Sequence, residues 1–296
     1  MTPFAERLAS GQTMVADGAM GTMLLTRGLE PGNCPEALTL SRPKVLEEIA
    51  RLYLEAGADI IETNTFGASP ERLATYGLDQ KTEELNEVAV RAVRKVVGDR
   101  AYVAGSCGPS GKLLEPHGDT SRDQLYRGFQ RQAKSLVAAG VDSVFVETMI
   151  DLDEARLAVQ AVKEVSPSTP VVATMTFEST RRGFYTVMGV SVEAAGSGLE
   201  AAGADAVGSN CGNGIQQMVE IARAFKESSD LPIVIQANAG LPQIVDGAVV
   251  YNETPDVTAT AAKELIYLGV AVIGGCCGTT PEHTAAIRTM VDQYTS

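Results

Sequence analysis

The sequence predicts an α/β protein with a single (β/α)8 TIM barrel, and three observations support this prediction. Short, nearly continuous apolar runs alternate with longer segments of helical spacing, which is typical of parallel strands covered on both faces. Eight such runs occur within 296 residues, a usual length for this barrel. No linker or low-complexity segment divides the chain, so we expect one domain over residues 1–296 and no second domain.

The eight apolar runs mark the predicted barrel strands. They are Met14–Ala16, Ala58–Glu62, Tyr102–Gly105, Ser143–Val146, Pro170–Thr174, Ala204–Gly208, Pro232–Gln236 and Val270–Gly275. Helical segments lie between them, among them Lys44–Ala56, Thr82–Val97, Ser121–Ala139, Leu152–Val165 and Gln217–Lys226. An open, doubly wound sheet is the alternative, but it rarely needs eight parallel strands without a break in composition.

A recurring glycine marks the joints between helices and strands. It stands at Gly57, Gly140, Gly203 and, in a looser form of the pattern, Gly269. A glycine at this position fits the left-handed conformation that ends many helices. The repeated joint therefore predicts several copies of one helix-to-strand unit.

Composition and charge limit which binding partners and which cellular compartment are expected for this protein. The formal net charge of −13 repels phosphate backbones, so we expect no nucleic-acid partner. No apolar stretch is long enough to span a membrane, and the first residues do not resemble a secretion signal. Five cysteines, two of them adjacent, do not resemble the framework of a small disulfide-rich domain. We therefore expect a cytoplasmic protein.

Polar residues and cysteines follow the predicted strands, where the active site of such a barrel lies. Cys211 follows strand six, and the pair Cys276 and Cys277 follows strand eight between glycines. Soft thiolates select Zn²⁺ over Mg²⁺ or Ca²⁺, and three protein ligands leave one position open, as in catalytic zinc sites. The alternatives are thiols that merely pack, the default for Cys34 and Cys107, or a redox-active vicinal pair.

Five segments extend this pattern to a recognisable family. They are Asp17-Gly18-Ala19-Met20-Gly21-Thr22, Glu62-Thr63-Asn64-Thr65-Phe66, Gly208-Ser209-Asn210-Cys211, Asn238-Ala239-Gly240 and the run from Gly274 to His283. Together they resemble the homocysteine S-methyltransferase family. Within it, the chain is most similar to the N-terminal homocysteine-binding module of cobalamin-dependent methionine synthases. The resemblance covers essentially the whole chain and implies the barrel fold that the strand count predicts.

The resemblance also implies roles for individual residues. It implies that Cys211, Cys276 and Cys277 bind zinc and that Asn238 is the fourth ligand until a substrate thiol displaces it. Asp17 and Glu147 would hold the amino group of homocysteine, and backbone N–H groups at Gly18, Ala19 and Gly21 would hold its carboxylate. An amino acid needs such an anionic partner and a donor-rich turn, although both carboxylates could instead be solvated or cap helices.

Other polar residues at the strand ends are expected to support this site. Asn210 is a further candidate for substrate contact, and with Glu62 and Asn64 it could instead shape the pocket or brace the ligand loops.

The methyl donor is the part of the function that the sequence leaves open. The resemblance favours a methylated corrinoid as donor. Because no corrinoid-binding domain is recognisable in the chain, that donor would be free methylcobalamin or a corrinoid on a separate carrier protein. Betaine, S-methylmethionine and S-adenosylmethionine are the alternatives, and residues 178–189 are a candidate loop on the donor side. An alternative of a different functional class is a barrel that binds zinc or senses redox state without transferring a methyl group. A Schiff-base enzyme is disfavoured, since no strand end carries a lysine.

Overall fold

The computed structural model describes residues 1–245 and 248–294. Eight parallel strands form the central sheet, and each lies within or overlaps one of the eight predicted runs. These strands are β1 (Met14–Val15), β2 (Ile60–Glu62), β3 (Tyr102–Cys107), β4 (Ser143–Met149), β5 (Val171–Met175), β8 (Ala206–Gly214), β9 (Ile233–Asn238) and β12 (Val272–Gly275). The prediction of eight barrel strands is confirmed.

The sheet is joined into a barrel by contacts between its first and last strands. The strand order is β1-β12-β9-β8-β5-β4-β3-β2. A parallel bridge between Ala16 and Ile60 then links β1 to β2, and the Asp17 amide donates to the Ile60 carbonyl over 3.0 Å. All carboxyl ends of the strands therefore meet at one rim, where a single site can be assembled.

Helices alternate with the strands along the chain, and the long helices cover the outer face of the sheet. They are α1 (Phe4–Leu8), α2 (Met20–Leu25), α3 (Leu38–Ser41), α4 (Pro43–Glu55), α5 (Pro70–Ala74), α6 (Thr82–Val97), α7 (Arg122–Ala139), α8 (Leu152–Val165), α9 (Val192–Ala202), α10 (Ile215–Ser228), α11 (Pro255–Tyr267) and α12 (Pro281–Tyr294). Two of the predicted helices, α6 and α8, have the predicted bounds. The four joint glycines have φ between 69° and 102°, the left-handed conformation that their position predicts.

An apolar plug fills the amino-terminal end of the barrel. One cluster of buried residues takes members from strands around the barrel, including Met14, Ile60 and Phe145, and from α1. Phe4 of α1 packs edge-on against Tyr102, with ring centroids 5.2 Å apart. This end is therefore a sealed core, and the opposite end is left for chemistry.

Two antiparallel hairpins extend the loops at the carboxyl ends of the strands. The first, β6 (Glu178–Thr180) with β7 (Gly183–Tyr185), follows β5 and lies inside the loop 178–189 that the sequence singled out. The second, β10 (Gln243–Val245) with β11 (Ala248–Val250), follows β9. The sequence did not predict either hairpin, because strands of three residues are too short to show a periodic pattern. Within the described residues, no helix is both long and apolar enough to cross a membrane.

Candidate metal and substrate site

Three thiols converge at the carboxyl end of the barrel. We call Cys211, Cys276 and Cys277 the cysteine cluster. Cys211 lies within β8, and the other two follow β12 directly. Their sulfur atoms all lie within 4.8 Å of one another, and those of Cys211 and Cys277 are 3.8 Å apart. The fold thus brings together residues that are 65 or more positions apart in the chain.

Local backbone conformation aims these sulfurs at one point. Cys211 has φ of 61°, which few residues other than glycine adopt. It lies where the register between β8 and β9 shifts, between Asn210 and Gly214. On the other side, the Cys276 amide donates to the Ala237 carbonyl over 2.7 Å. Thr279 donates its hydroxyl hydrogen to the Cys276 carbonyl, also over 2.7 Å, and this fixes the turn that carries the adjacent pair.

The donor set fits zinc. Ligand sulfurs about 2.3 Å from a tetrahedral Zn²⁺ lie about 3.8 Å apart, which is the separation of Cys211 and Cys277. Asn238, the predicted fourth ligand, is buried at the end of β9, and its side-chain oxygen has no hydrogen-bond partner. A buried acceptor without a partner is unfavourable unless something else satisfies it. Hydrogen bonds within the cluster lower the pKa of the Cys277 thiol and raise that of Cys276, and the pKa of Cys211 is raised as well.

A small cavity of about 240 Å³ opens beside the cysteine cluster. This volume lies below the roughly 300–1,000 Å³ of pockets for drug-sized ligands, so it suits a small molecule. Among the described residues that line it, none is a lysine, arginine or histidine. The lining includes the cysteine cluster, Gly18 to Thr22, Glu62, Phe66, Ser106, Glu147, Thr148 and Gln236. The cavity wall is therefore acidic, and no cationic side chain among its described lining residues neutralises it.

Three carboxyl groups form that acidic wall and the layer behind it. We call Asp17, Glu62 and Glu147 the carboxyl trio. Glu62 accepts from Gln236 Nε2 over 2.6 Å, and its backbone amide donates to Asp17 Oδ2 over 3.0 Å. Burial raises the pKa of all three, and the charge of Glu62 raises the pKa of Asp17 and Glu147 further.

The predicted substrate residues do not all reach the cavity. Glu147, Gly18, Ala19 and Gly21 line it, whereas Asp17 lies behind Glu62 and is not among the lining residues. The Ala19 amide already donates to Thr279 Oγ1 over 3.2 Å. Gly21 lies in the first turn of α2, where backbone amides have no partner inside the helix.

Asn210 braces the acidic wall from behind. It is fully buried and lies outside the cavity lining. Its side-chain oxygen accepts from the Thr148 amide over 2.7 Å and from Thr174 Oγ1 over 2.8 Å. Its nitrogen donates to Glu147 Oε2 over 3.1 Å. Substrate contact by Asn210 stays a prediction, while its role as a support for Glu147 follows from these hydrogen bonds.

Several residues of the site were missed at the level of sequence. Ser106 donates to Glu147 Oε1, and Gln236 donates to Glu62. Both stand at predicted strand ends, so their position was a usable signal. Tyr251 lies against Gly278, next to Cys277, but follows the second hairpin, far from any predicted strand end. No pattern in the sequence pointed to it.

Fold and site together define a (β/α)8 barrel with a cluster of three thiols beside a small acidic cavity. The family model for homocysteine S-methyltransferases matches residues 14–291. The chain belongs to the homocysteine S-methyltransferase family.

Individual relatives agree with this assignment. The chain is 36% identical to the methionine synthase of Mycobacterium leprae (strain TN) over 98% of its own length. It is 35% identical over 95% of its length to the methionine synthase of Mycobacterium tuberculosis (strain ATCC 25618 / H37Rv). It spans 25% of the length of each of these relatives.

A solved structure shows the same fold. The metallated form of the homocysteine methyltransferase MmuM from Escherichia coli superimposes with a TM-score of 0.80 at 22% sequence identity. The match covers 97% of this chain and 99% of that one.

Proposed function

We propose that this protein transfers a methyl group to the thiol of homocysteine and so forms methionine. The observation that carries the proposal is the position of the cysteine cluster directly beside a small acidic cavity, whose described lining residues include no lysine, arginine or histidine. A metal-binding thiol set suits a sulfur substrate, and the acidic wall suits the ammonium group of an amino acid. Membership of the family and the two methionine synthase relatives support the same substrate.

The cysteine cluster would hold Zn²⁺, with the side-chain oxygen of Asn238 as fourth ligand in the absence of substrate. The sulfur separations and the unpartnered oxygen support this assignment. Bound there, Zn²⁺ would act as a Lewis acid that favours the ionised form of a substrate thiol at neutral pH.

The protein's own residues would orient the amino acid. Glu147 reaches the cavity directly and would accept from the substrate ammonium, with the charge of Asp17 close behind it. Backbone amides from Gly18 to Gly21 would meet the substrate carboxylate on the opposite wall. Held at both ends, the amino acid directs its side-chain sulfur towards the cysteine cluster.

The carboxyl trio would also respond to the charge of the substrate. Burial raises the pKa of Glu62 and Glu147, and the charge of Glu62 raises the pKa of Glu147 further. An arriving ammonium favours the ionised form of both carboxyl groups and would lower both pKa values as the substrate binds. The hydrogen bonds from Ser106 and Asn210 keep Glu147 in place throughout.

A methylated corrinoid is the donor that we propose, free or on a separate protein or segment. The methionine synthase relatives and the scarcity of aromatic residues in the cavity support it. Phe66 is the single aromatic residue among the described lining residues, whereas a quaternary ammonium donor such as betaine favours an aromatic cage. In the transfer, the substrate sulfur forms a bond to the methyl carbon, the donor keeps the electron pair of the broken bond, and the thiol proton goes to solvent.

Parallel donor assays test this function. The zinc-loaded protein is given homocysteine with methylcobalamin, betaine, S-methylmethionine or S-adenosylmethionine, and methionine is quantified. We expect methionine with methylcobalamin. Methionine from one of the other donors alone would contradict the proposed donor. Zinc binding without methionine from any donor would instead favour a non-catalytic zinc or redox-sensing barrel.

A reducing compartment suits this chemistry. All five cysteines are free, and the proposed ligands act as thiolates rather than disulfides. We therefore propose a cytoplasmic location.

A further inference from the structure

A short segment after the second hairpin crosses the loops that carry the proposed metal ligands. We call Tyr251, Asn252 and Glu253 the strap. The Glu253 amide donates to the Ala239 carbonyl over 2.9 Å. The Glu253 carboxylate accepts from the Ile215 amide over 3.1 Å. The strap is thereby fastened next to Asn238 and just beyond the strand that contains Cys211.

A third attachment joins the strap to the loop of the adjacent cysteines. The His283 ring, in the first turn of α12, lies 3.0 Å from the Glu253 carbonyl through Nε2. Its other ring nitrogen, Nδ1, accepts from the Thr280 amide over 3.2 Å. This pairing makes Nε2 the protonated donor to Glu253. All three ligand-bearing loops are therefore tied to one three-residue segment.

Three glycines make room for the strap, one in each ligand-bearing loop. Gly214 follows Cys211, Gly240 follows Asn238, and Gly278 follows Cys277. A Cβ on Gly278 would lie 2.2 Å from the Tyr251 ring, one on Gly240 would lie 2.7 Å from Asn252, and one on Gly214 would lie 2.2 Å from Glu253. At Gly278 the nearest atoms are the ring and Cβ of Tyr251, so a side chain there would displace that residue, whereas at Gly214 and Gly240 the nearest atoms are the ends of the Glu253 and Asn252 side chains.

The close approach at Gly278 places Tyr251 against the cysteine cluster. The Tyr251 ring lies against Gly278, the residue after Cys277, and burial together with the charge of Cys277 raises the pKa of the Tyr251 hydroxyl. Three thiolates within 4.8 Å of one another repel strongly. A hydroxyl donor aimed at one of them offsets part of that repulsion and fixes the orientation of the sulfur.

We propose that Tyr251 is a positioning residue of the metal centre, which donates a hydrogen bond to the Cys277 thiolate and is held there by the strap. This inference rests on the proposed metal site but goes beyond the ligand set. A hydrogen-bonded thiolate is also a weaker nucleophile than a free one. Tyr251 therefore makes Cys277 less reactive than a substrate sulfur bound in the same cluster.

The test compares Tyr251→Phe with the wild-type protein and with Tyr267→Phe. Both substitutions remove one phenolic oxygen, but Tyr267 is 68% exposed on α11 and has no part in the proposed site. Zinc affinity is measured by competition with a chromophoric chelator. The absorption spectrum of the Co²⁺-substituted protein reports the thiolate ligands, and thermal unfolding confirms that each variant is folded.

We expect Tyr251→Phe to bind zinc about 10–100-fold more weakly, the usual effect of losing an outer hydrogen bond to a metal ligand. Its thiolate-to-cobalt absorption should move to lower energy, because a thiolate without the hydrogen bond is oxidised more readily. Tyr267→Phe should match the wild type in both. A Tyr251→Phe variant that matches the wild type in both measurements would overturn the inference alone. A wild-type protein that binds no zinc would overturn the proposed metal site as well.

Discussion

The two ends of the barrel interior differ sharply although the same strands build both. At the amino-terminal end, Ile60, Phe145 and Val234 belong to an apolar plug. Two residues further along the same strands stand Glu62, Glu147 and Gln236, which line the acidic cavity. Alternate residues of a strand face the same side, so the plug and the site are only two residues apart along each of these strands.

This difference shows how the fold divides stability from function. The plug contributes through buried apolar area and close packing, which tolerate little change in volume. The site instead concentrates three buried carboxyl groups and three thiols, an arrangement that is unfavourable for the empty protein. The close packing in the rest of the barrel offsets this unfavourable free energy. Bound ligands of opposite charge would then reduce the repulsion within the site.

The largest expected effect comes from removing a side chain of the plug. Phe145→Ala should destabilise the protein by about 3–5 kcal/mol, because Phe145 is fully buried and the deletion leaves a cavity. Its zinc affinity should stay at the wild-type value. Urea unfolding and a zinc titration measure the two quantities. If zinc affinity fell along with stability, the two ends would not be independent.

The converse change is made in the cysteine cluster. Cys211→Ala should weaken zinc binding by more than about 100-fold, since even outer partners of metal ligands contribute 10–100-fold. The matched control is Cys107→Ala, which removes a buried thiol outside the cluster. Metal analysis after gel filtration should find zinc in the control and not in Cys211→Ala. Full zinc content in Cys211→Ala would refute the ligand assignment.

A smaller effect is expected at the acidic wall. Glu147→Gln should raise the KM for homocysteine about 10–100-fold, because a hydrogen bond to a charged group contributes about 1.5–3 kcal/mol. Zinc affinity should change little. Steady-state kinetics measure the effect, with Glu227→Gln on the exposed face of α10 as control. An unchanged KM in Glu147→Gln would remove Glu147 from the substrate site.

The smallest effect concerns pH. Burial raises the pKa of Glu62, so in the zinc-free protein the unfolded state releases its proton first as pH rises above about 4.5. Stability due to the protonated group is therefore lost with increasing pH. Glu62→Gln removes this loss and also relieves Glu147 of a neighbouring charge.

The advantage of Glu62→Gln over the wild type should grow between pH 4.5 and pH 8, because the wild type loses stability over this range as its raised-pKa carboxyl group ionises. Urea unfolding at both pH values measures it. Parallel stability curves for the two proteins would show that Glu62 ionises normally in the folded state.

The sequence predicted the barrel well because each strand is a buried apolar run and each helix-to-strand joint repeats one glycine. It also predicted the positions of Cys211, Cys276 and Cys277 at the rim, since strand ends converge there by topology. It could not predict that Asp17 lies behind Glu62, because that depends on side-chain packing between neighbouring strands. The strap could not be predicted either, since Tyr251 reaches the loop of Cys277 and Gly278 from a segment that has no periodic sequence pattern.

The most direct test of the proposed site is the absorption spectrum of the Co²⁺-substituted protein during addition of homocysteine. The thiol of homocysteine should add a fourth thiolate to the cysteine cluster and strengthen the thiolate-to-cobalt absorption. Methionine, whose sulfur is already methylated, should leave that absorption unchanged. No response to homocysteine, or the same response to both amino acids, would contradict the proposal that the metal keeps a position for the substrate sulfur.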